Sequence, residues 1–199
     1  MIEENLLYTL KTTLNQLSPI PDEQFNIFVP LISKAFYKKH EYFVKAGDWQ
    51  THVGFVTDGL FRLYYVDMNG KEFTKNFFTQ NRLVVAYGAM LRGEPSNLYI
   101  QALKNTEVLL IDYHKWMEFM DTHPCWQRLF LKITEYAYLE KERRESNLLF
   151  YDAENRYLNF MEEFPGLHKQ IKQHHIASFL GMSPETLSRI KNVNLDIYQ

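Results

Sequence analysis

The sequence predicts an α+β protein: an N-terminal jelly roll (double-stranded β-helix), then one long helix, then a C-terminal helix-turn-helix. Three observations carry this. Between residues 40 and 112, short apolar runs rich in β-branched and aromatic side chains are bounded by Gly-Asp, Asp-Gly and Asn-Gly steps. On either side, apolar residues return to three- and four-residue spacing, the helical period. Near the end, HHIASFLGMSPETLSRIKNV (174–193) fills every position that two helices and a tight turn require. The expected ranges are 1–122 for the roll with its leading helices, 123–150 for the long helix and 151–199 for the C-terminal domain.

Residues 4–17 place Leu6, Leu7, Leu10, Leu14 and Leu17 on one helical face. After the Pro19-Ile20-Pro21 break, a second short helix is expected to align Phe25, Phe28, Val29 and Ile32. Strands are expected in YFVKAGD, VGFVTDG, LFRLYYVDMNG, EFTKNFF, NLYIQAL and EVLLID. Asn69-Gly70 predicts a type I′ hairpin, whose two central residues both need positive φ. Strands this short and closely spaced suit a jelly roll. Pro124 fits the first turn of the long helix, along which Leu129, Ile133, Tyr136 and Leu139 or Glu140 trace a stripe. A helix of ~25 residues is about 37 Å long, more than a small roll covers, so the stripe asks for a partner helix. Asp152 is placed to cap the next helix, ENRYLNFMEEF, which ends at Pro165-Gly166.

A length of 199 residues fits one domain and a small appendage, and 46% hydrophobic with 16% aromatic residues supplies a real core. The net charge of −2 requires any basic surface to be local. The single cysteine, Cys125, excludes a disulfide framework, a cysteine-held iron–sulfur cluster and a Cys-type zinc site within one chain. The start, Met1-Ile2-Glu3-Glu4, lacks the features of a signal peptide, and no apolar run approaches the ~20 residues of a membrane span. A cytoplasmic protein with no membrane partner is expected.

In the C-terminal stretch, Ala177 is the small residue where helices cross, Gly181 opens the turn, and Ile176, Leu180, Met182, Leu187 and Ile190 supply the shared core. Ser183 offers an N-cap oxygen and Pro184 a preset first helical residue. The exposed face of the second helix then carries Glu185, Ser188 and Arg189, with Lys191 close by. Arginine can bind guanine O6 and N7 together, and glutamate can accept from cytosine N4. Lys172, His174, Ser183 and Thr186 complete the expected DNA-binding set. Between residues 168 and 191, Lys169, Lys172, Arg189 and Lys191 stand against Glu185, a local +3. An ordinary helical hairpin is the bland alternative. A metal site at His174-His175 is not expected, because adjacent helical residues point about 100° apart whereas metal pairs use i, i+4 spacing.

This order of elements resembles the Crp/Fnr family of bacterial transcription regulators over almost the whole chain. The specific match is IASFLGMSPETLSRI, in which Glu185-x-x-Ser188-Arg189 is similar to an Fnr-type recognition helix; the SPE turn and EPSNLYIQALKNTEV resemble a subgroup common in Bacteroidetes. The resemblance implies a cyclic-nucleotide-binding-like roll and a homodimer held by helix 123–150 through Leu129, Ile133, Tyr136 and Leu139. It also implies recognition helices in successive major grooves of a near-palindromic operator, half-sites roughly 34 Å apart, with RNA polymerase as a partner of an activator.

Departures from the family limit what carries over. Cyclic-AMP-binding members hold phosphate and ribose with a Gly-Glu pair and a later Arg-Ser or Arg-Thr pair; the aligned positions here are Val85-Ala86 and Ser96-Asn97, with Arg92 nearby. Cyclic AMP is therefore not expected, nor any resident cofactor. A different small-molecule effector would contact Val85, Ala86, Tyr87, Arg92, Ser96, Asn97 and Tyr99. Phe55, Phe61, Tyr64 and Phe77 serve as its lining or, more simply, as core. His40, His52, His114 and His123 lie in or beside the roll and leave haem open, although isolated histidines are more often surface or hydrogen-bonded residues than ligands. Relatives continue past the recognition helix into a wing, whereas this sequence ends at Gln199, so wing contacts to DNA are expected to be missing.

Two rival readings remain. A cupin-type metalloenzyme shares the jelly roll but needs clustered histidines, and no His-x-His, Gly-x-Ser-x-Gly, phosphate loop or Gly-x-Gly-x-x-Gly occurs, so catalysis is not expected. A ligand-binding dimer with a degenerate C-terminal domain has no physical need for Glu185, Ser188 and Arg189.

Overall fold

The computed structural model describes residues 2–195. Helices α1 (Glu4–Leu17) and α2 (Asp22–Phe28) lead into β1 (Ile32–Tyr37), β2 (Tyr42–Val44), β3 (His52–Asp58), β4 (Phe61–Val66), β5 (Glu72–Phe78) and β6 (Leu83–Val84). A short α3 (Tyr87–Arg92) precedes β7 (Tyr99–Ala102) and β8 (Thr106–Asp112), and the rest is helical: α4 (Tyr113–Phe119), α5 (Pro124–Phe150), α6 (Ala153–Glu163), α7 (Gln173–Leu180) and α8 (Pro184–Leu195). The chain divides into two compact units, one of residues 1–64 and 77–136, the other of residues 65–76 and 137 onward.

The strands form two four-stranded sheets, ordered β1-β8-β3-β6 and β2-β7-β4-β5. Pairing is antiparallel, and sequence-distant strands lie side by side, which is jelly-roll topology. Alternation gives each strand two faces. Val53 and Phe55 lie opposite Ile111 and Leu109 in register, so all four share one face. That face belongs to a buried cluster with Leu10 and Leu14 of α1, Phe28 of α2, Trp116 of α4, and Trp126 and Leu129 of α5. Phe28 is the hub: its ring lies 4.6 Å from Trp126, 5.7 Å from Phe119 and 6.2 Å from Trp116. The Tyr37 ring of one sheet meets Phe43 and Phe61 of the other at 5.9 and 5.5 Å.

Several local expectations differ from the structure. Ile32 opens β1 rather than closing the second helix, because Pro30 lies in a 3-10 turn over Val29–Leu31 and the chain then pairs with β8. The β4–β5 loop is not a type I′ turn. Of its two predicted central residues only Gly70 has positive φ, at 80°. The Gly70 N–H donates to Asp67 O, while the Asp67 carboxylate accepts from the N–H groups of Asn69 and Lys71. A turn closed this way needs just one left-handed residue, the glycine that follows it.

The stripe on α5 also requires correction. Leu129 is fully buried in its own chain's core, Ile133 packs against that core, and the Tyr136 hydroxyl accepts from Arg82, so Leu129 cannot face a second copy. Leu139 is 59% exposed, as are Leu131 at 54% and Tyr138 at 65%. The two kinds of position should separate on truncation. Leu129→Ala is expected to cost ~2–5 kcal/mol of folding stability. Leu139→Ala should change the monomer by less than about 0.5 kcal/mol. Urea unfolding of dilute protein followed by tryptophan fluorescence measures both, and equal effects would overturn this division of the helix.

Candidate nucleic-acid interface

Helices α6, α7 and α8 and the 3-10 turn Leu167–Lys169 build the C-terminal part of the second unit. Asp152 caps α6, its carboxylate accepting from the Asn155 N–H at 2.9 Å. Phe160 and Phe164 of this segment meet Phe179 of α7 with ring centroids 5.7 Å apart in each case. Ile176, Ala177 and Leu187 are all but fully buried, Leu180 is buried, and Met182 and Ile190 are half-buried. The predicted inward positions thus point inward.

Gly181 terminates α7 with φ 64°, which lets the Met182 N–H return to Ala177 O at 3.0 Å. Ser183 then caps α8, its Oγ accepting from the Thr186 N–H at 3.2 Å. Glu185 lies in the first turn, where the helix dipole favours a carboxylate. A hydrogen bond from Ser183, then its own backbone N–H, holds this carboxyl below the ordinary glutamate range. Glu185, Ser188 and Arg189 are all exposed, and spacings of three and four residues place them on one face of α8. Ser183, Lys172 and His174 are exposed as well, while Thr186 and Lys191 are half-buried. All eight predicted residues thus belong to the helix-turn-helix or its approach, with the three base-reading candidates together.

His168 was not singled out by the sequence. Its Nδ1 is buried without a hydrogen-bond partner. Burial, reinforced by Lys169 and Lys191, pushes its pKa below the ordinary histidine value. No local motif marks it, because burial, the main cause, is set by tertiary packing.

Residues 34–123 match the family model of the cyclic nucleotide-binding domain. Among solved structures, FixK2 from Bradyrhizobium japonicum is similar at 19% identity with a TM-score of 0.71, over 81% of this chain and 83% of that one. The c-di-GMP-responsive global regulator CLP of Xanthomonas campestris is similar at 16% identity and a TM-score of 0.69, over 88% and 93%. A transcriptional regulator of the Crp/Fnr family from Eubacterium rectale is similar at 15% identity and a TM-score of 0.68, over 89% and 85%. This chain has the Crp/Fnr fold. No curated protein sequence matches it.

The residues named for an effector in this Crp/Fnr roll are divided between its core and its surface. Val85 packs on the helix-covered core and Ala86 is buried. The Ala86 N–H, at the start of α3, donates to Gln50 Oε1 at 3.3 Å. Arg92 is exposed and paired with Glu94 at 2.8 Å. Ser96 is buried, with its Oγ donating to Leu98 O, and Asn97 is exposed. Tyr99 stacks on Tyr64 with centroids 5.2 Å apart, and burial raises the pKa of Tyr87, as does Tyr113 beside it. Phe55, Phe61, Tyr64 and Phe77 are buried as core.

A cavity of about 440 Å³ in the roll is lined by residues that include Tyr37, Phe43, Asp48, Trp49 and Gln50, of which Asp48 and Gln50 accept from the backbone N–H groups of Ser96 and Ala86. Arg62 was also missed: only 1% exposed, it sits 4.3 Å from the centroid of the Tyr64 ring. Its signal was the alternation in LFRLYY, which puts it on the face opposite Phe61 and Leu63. Among the described residues, no three His, Cys, Asp or Glu side chains group to hold a metal ion. None of these helices is long and apolar enough to cross a membrane.

The depressed pKa of His168 has a definite sign in stability. Folding favours the neutral imidazole, so its contribution is present above the unfolded pKa, about 6.5, and is lost as pH falls toward the lower folded value. Melting temperature should decline between pH 7.5 and 5.5, and His168→Gln should flatten that decline. An unchanged slope in the variant would remove His168 from the account.

Proposed function

We propose that this protein is a sequence-specific DNA-binding transcription regulator of Crp/Fnr type and not an enzyme. One observation carries the reading: Glu185, Ser188 and Arg189 stand exposed on one face of α8, above a packed and capped helix-turn-helix. Arg189 reads guanine and Glu185 accepts from cytosine. Ser183, Thr186, Lys191, Lys172 and His174 serve the flanking contacts, mainly to phosphate. The regulator acts as a homodimer on a near-palindromic operator with half-sites roughly 34 Å apart, and RNA polymerase is its partner if it activates.

No resident cofactor is assigned, and control is by an effector other than cyclic AMP. A cyclic phosphodiester needs a cation and free N–H donors. Here the Ala86 N–H is engaged by Gln50 and Arg92 by Glu94, which supports that choice.

The test is selection of bound duplexes from random DNA at a stated salt concentration. An inverted repeat with guanine-containing half-sites one helical turn apart is the expected product. Arg189→Ala should cost ~1–3 kcal/mol and relax preference at one guanine per half-site. Binding that is sequence-blind in the wild type, with Arg189→Ala selecting the same pool, would overturn the proposal.

A further inference from the structure

Strand β5 is the edge of its sheet, so alternate residues direct backbone groups away from the neighbouring strand. In the second unit these groups are taken up by side chains from the helical segment. Ser178, in the middle of α7, accepts from the Thr74 N–H at 2.9 Å and donates to Glu72 O at 3.0 Å. One hydroxyl thereby reads two edge groups, as a neighbouring strand would. Arg144 of α5 takes the next: its Nη2 donates to Thr74 O at 3.1 Å and to Phe179 O at 2.9 Å. Its guanidinium also lies over the Phe179 ring, 4.1 Å from the centroid. Thr74 is 2% exposed, so these contacts are shielded from water.

We infer that Ser178 and Arg144 are positioning residues for the recognition helix, fastening α7 to the edge of β5 so that the β4–β5 hairpin fixes the attitude of α8. The link from α7 to α8 is stiff, because Gly181 and the Ser183 cap leave no free residue between the helices. Release of the latch lets the hairpin and α8 move apart while the apolar helix-turn-helix core, built on Phe160, Phe164, Phe179 and Leu187, stays closed. The consequence for DNA rests on the function proposed above; the latch itself does not.

The full-length chain carries the test. Spin labels at Met68→Cys, on the exposed hairpin tip, and Asn192→Cys, on the exposed side of α8, report the distance directly, with Cys125 buried and unlabelled. In the parent a single narrow distribution is expected. Ser178→Ala should broaden it and speed hydrogen exchange at the Thr74 amide at least tenfold, without loss of α7 amide protection. Ser178→Thr, which keeps the hydroxyl, should restore both. Arg144→Lys, keeping charge but losing the planar fork, should show an intermediate broadening.

If DNA is bound, Ser178→Ala should tolerate altered half-site spacing while selecting the same half-site bases. A narrow distribution and a protected Thr74 amide in both Ser178→Ala and Arg144→Lys would overturn the latch. Should the parent fail to select DNA, the distance and exchange measurements still decide it. If Ser178→Ala does not fold, Arg144→Lys and Ser178→Thr decide it by the same readouts.

Discussion

A guanidinium cannot leave water unless its N–H edges and its faces find partners, and Arg144 imposes that constraint on the second unit. Desolvation lowers its pKa to about 10, with Glu163 opposing the shift, so the side chain stays charged at neutral pH. A buried ion left without compensation costs several kcal/mol, which makes each of its neighbours a requirement. Phe179 O is a carbonyl in the last turn of α7, Thr74 O is an edge group of β5, and the Phe179 ring covers one face. Two carbonyls that would each be costly to bury alone are therefore satisfied by one cation, and an aromatic ring covers its face. The same neighbours explain why hairpin 65–76 clusters with the helices and not with the strands it connects.

In the roll, polar groups around the start of α3 are likewise paired with one another. The start of α3 is where an anion could find a backbone donor, yet the Ala86 N–H is engaged by a neutral side chain, Gln50, whose Nε2 in turn donates to His52 O. Ser96 closes a small ring with Leu98, and its backbone pairs with Gly47 and Asp48. These bonds join the segment around residue 48 to the segment around residue 96. Entry of a charged ligand would break several of them and leave Arg92 still held by Glu94 outside. The fold of a cyclic nucleotide-binding domain is thus kept while its polar groups are spent on each other.

What could be read from the sequence was what local chemistry decides. Gly181, Ser183-Pro184 and the inward positions around them specify the helix-turn-helix within about twenty residues, and α5 begins at its predicted proline. The roll was legible as a class because its strands carry β-branched and aromatic residues between turn signals. What escaped depended on partners far along the chain. Strand β1, ISKAFY, is largely exposed and takes its identity from pairing with β8. Ser178 looks like any helical serine until the Thr74 amide, more than a hundred residues away, arrives beside it. The effector positions meet the same limit: alignment to a family cassette locates backbone, while the partners of each side chain are set by segments far along the chain.

The orientation of α5 shows how one buried residue settles a surface. With Trp126 and Leu129 in the core, the azimuth of the helix is fixed, because each residue turns it by about 100°. Leu131 falls roughly 200° from Leu129, on the opposite side, and Tyr138, seven residues further, returns to within about 20° of Leu131. Both are exposed, and Leu139 flanks them. A strip of large apolar side chains repeating at seven residues on the side away from the core is the geometry of a two-helix seam. The sequence stripe of Leu129, Ile133 and Tyr136 is equally periodic, so periodicity alone could not choose between the two faces. The aromatic cluster around Phe28 makes that choice, by drawing in the side that carries Trp126 and turning the other side outward.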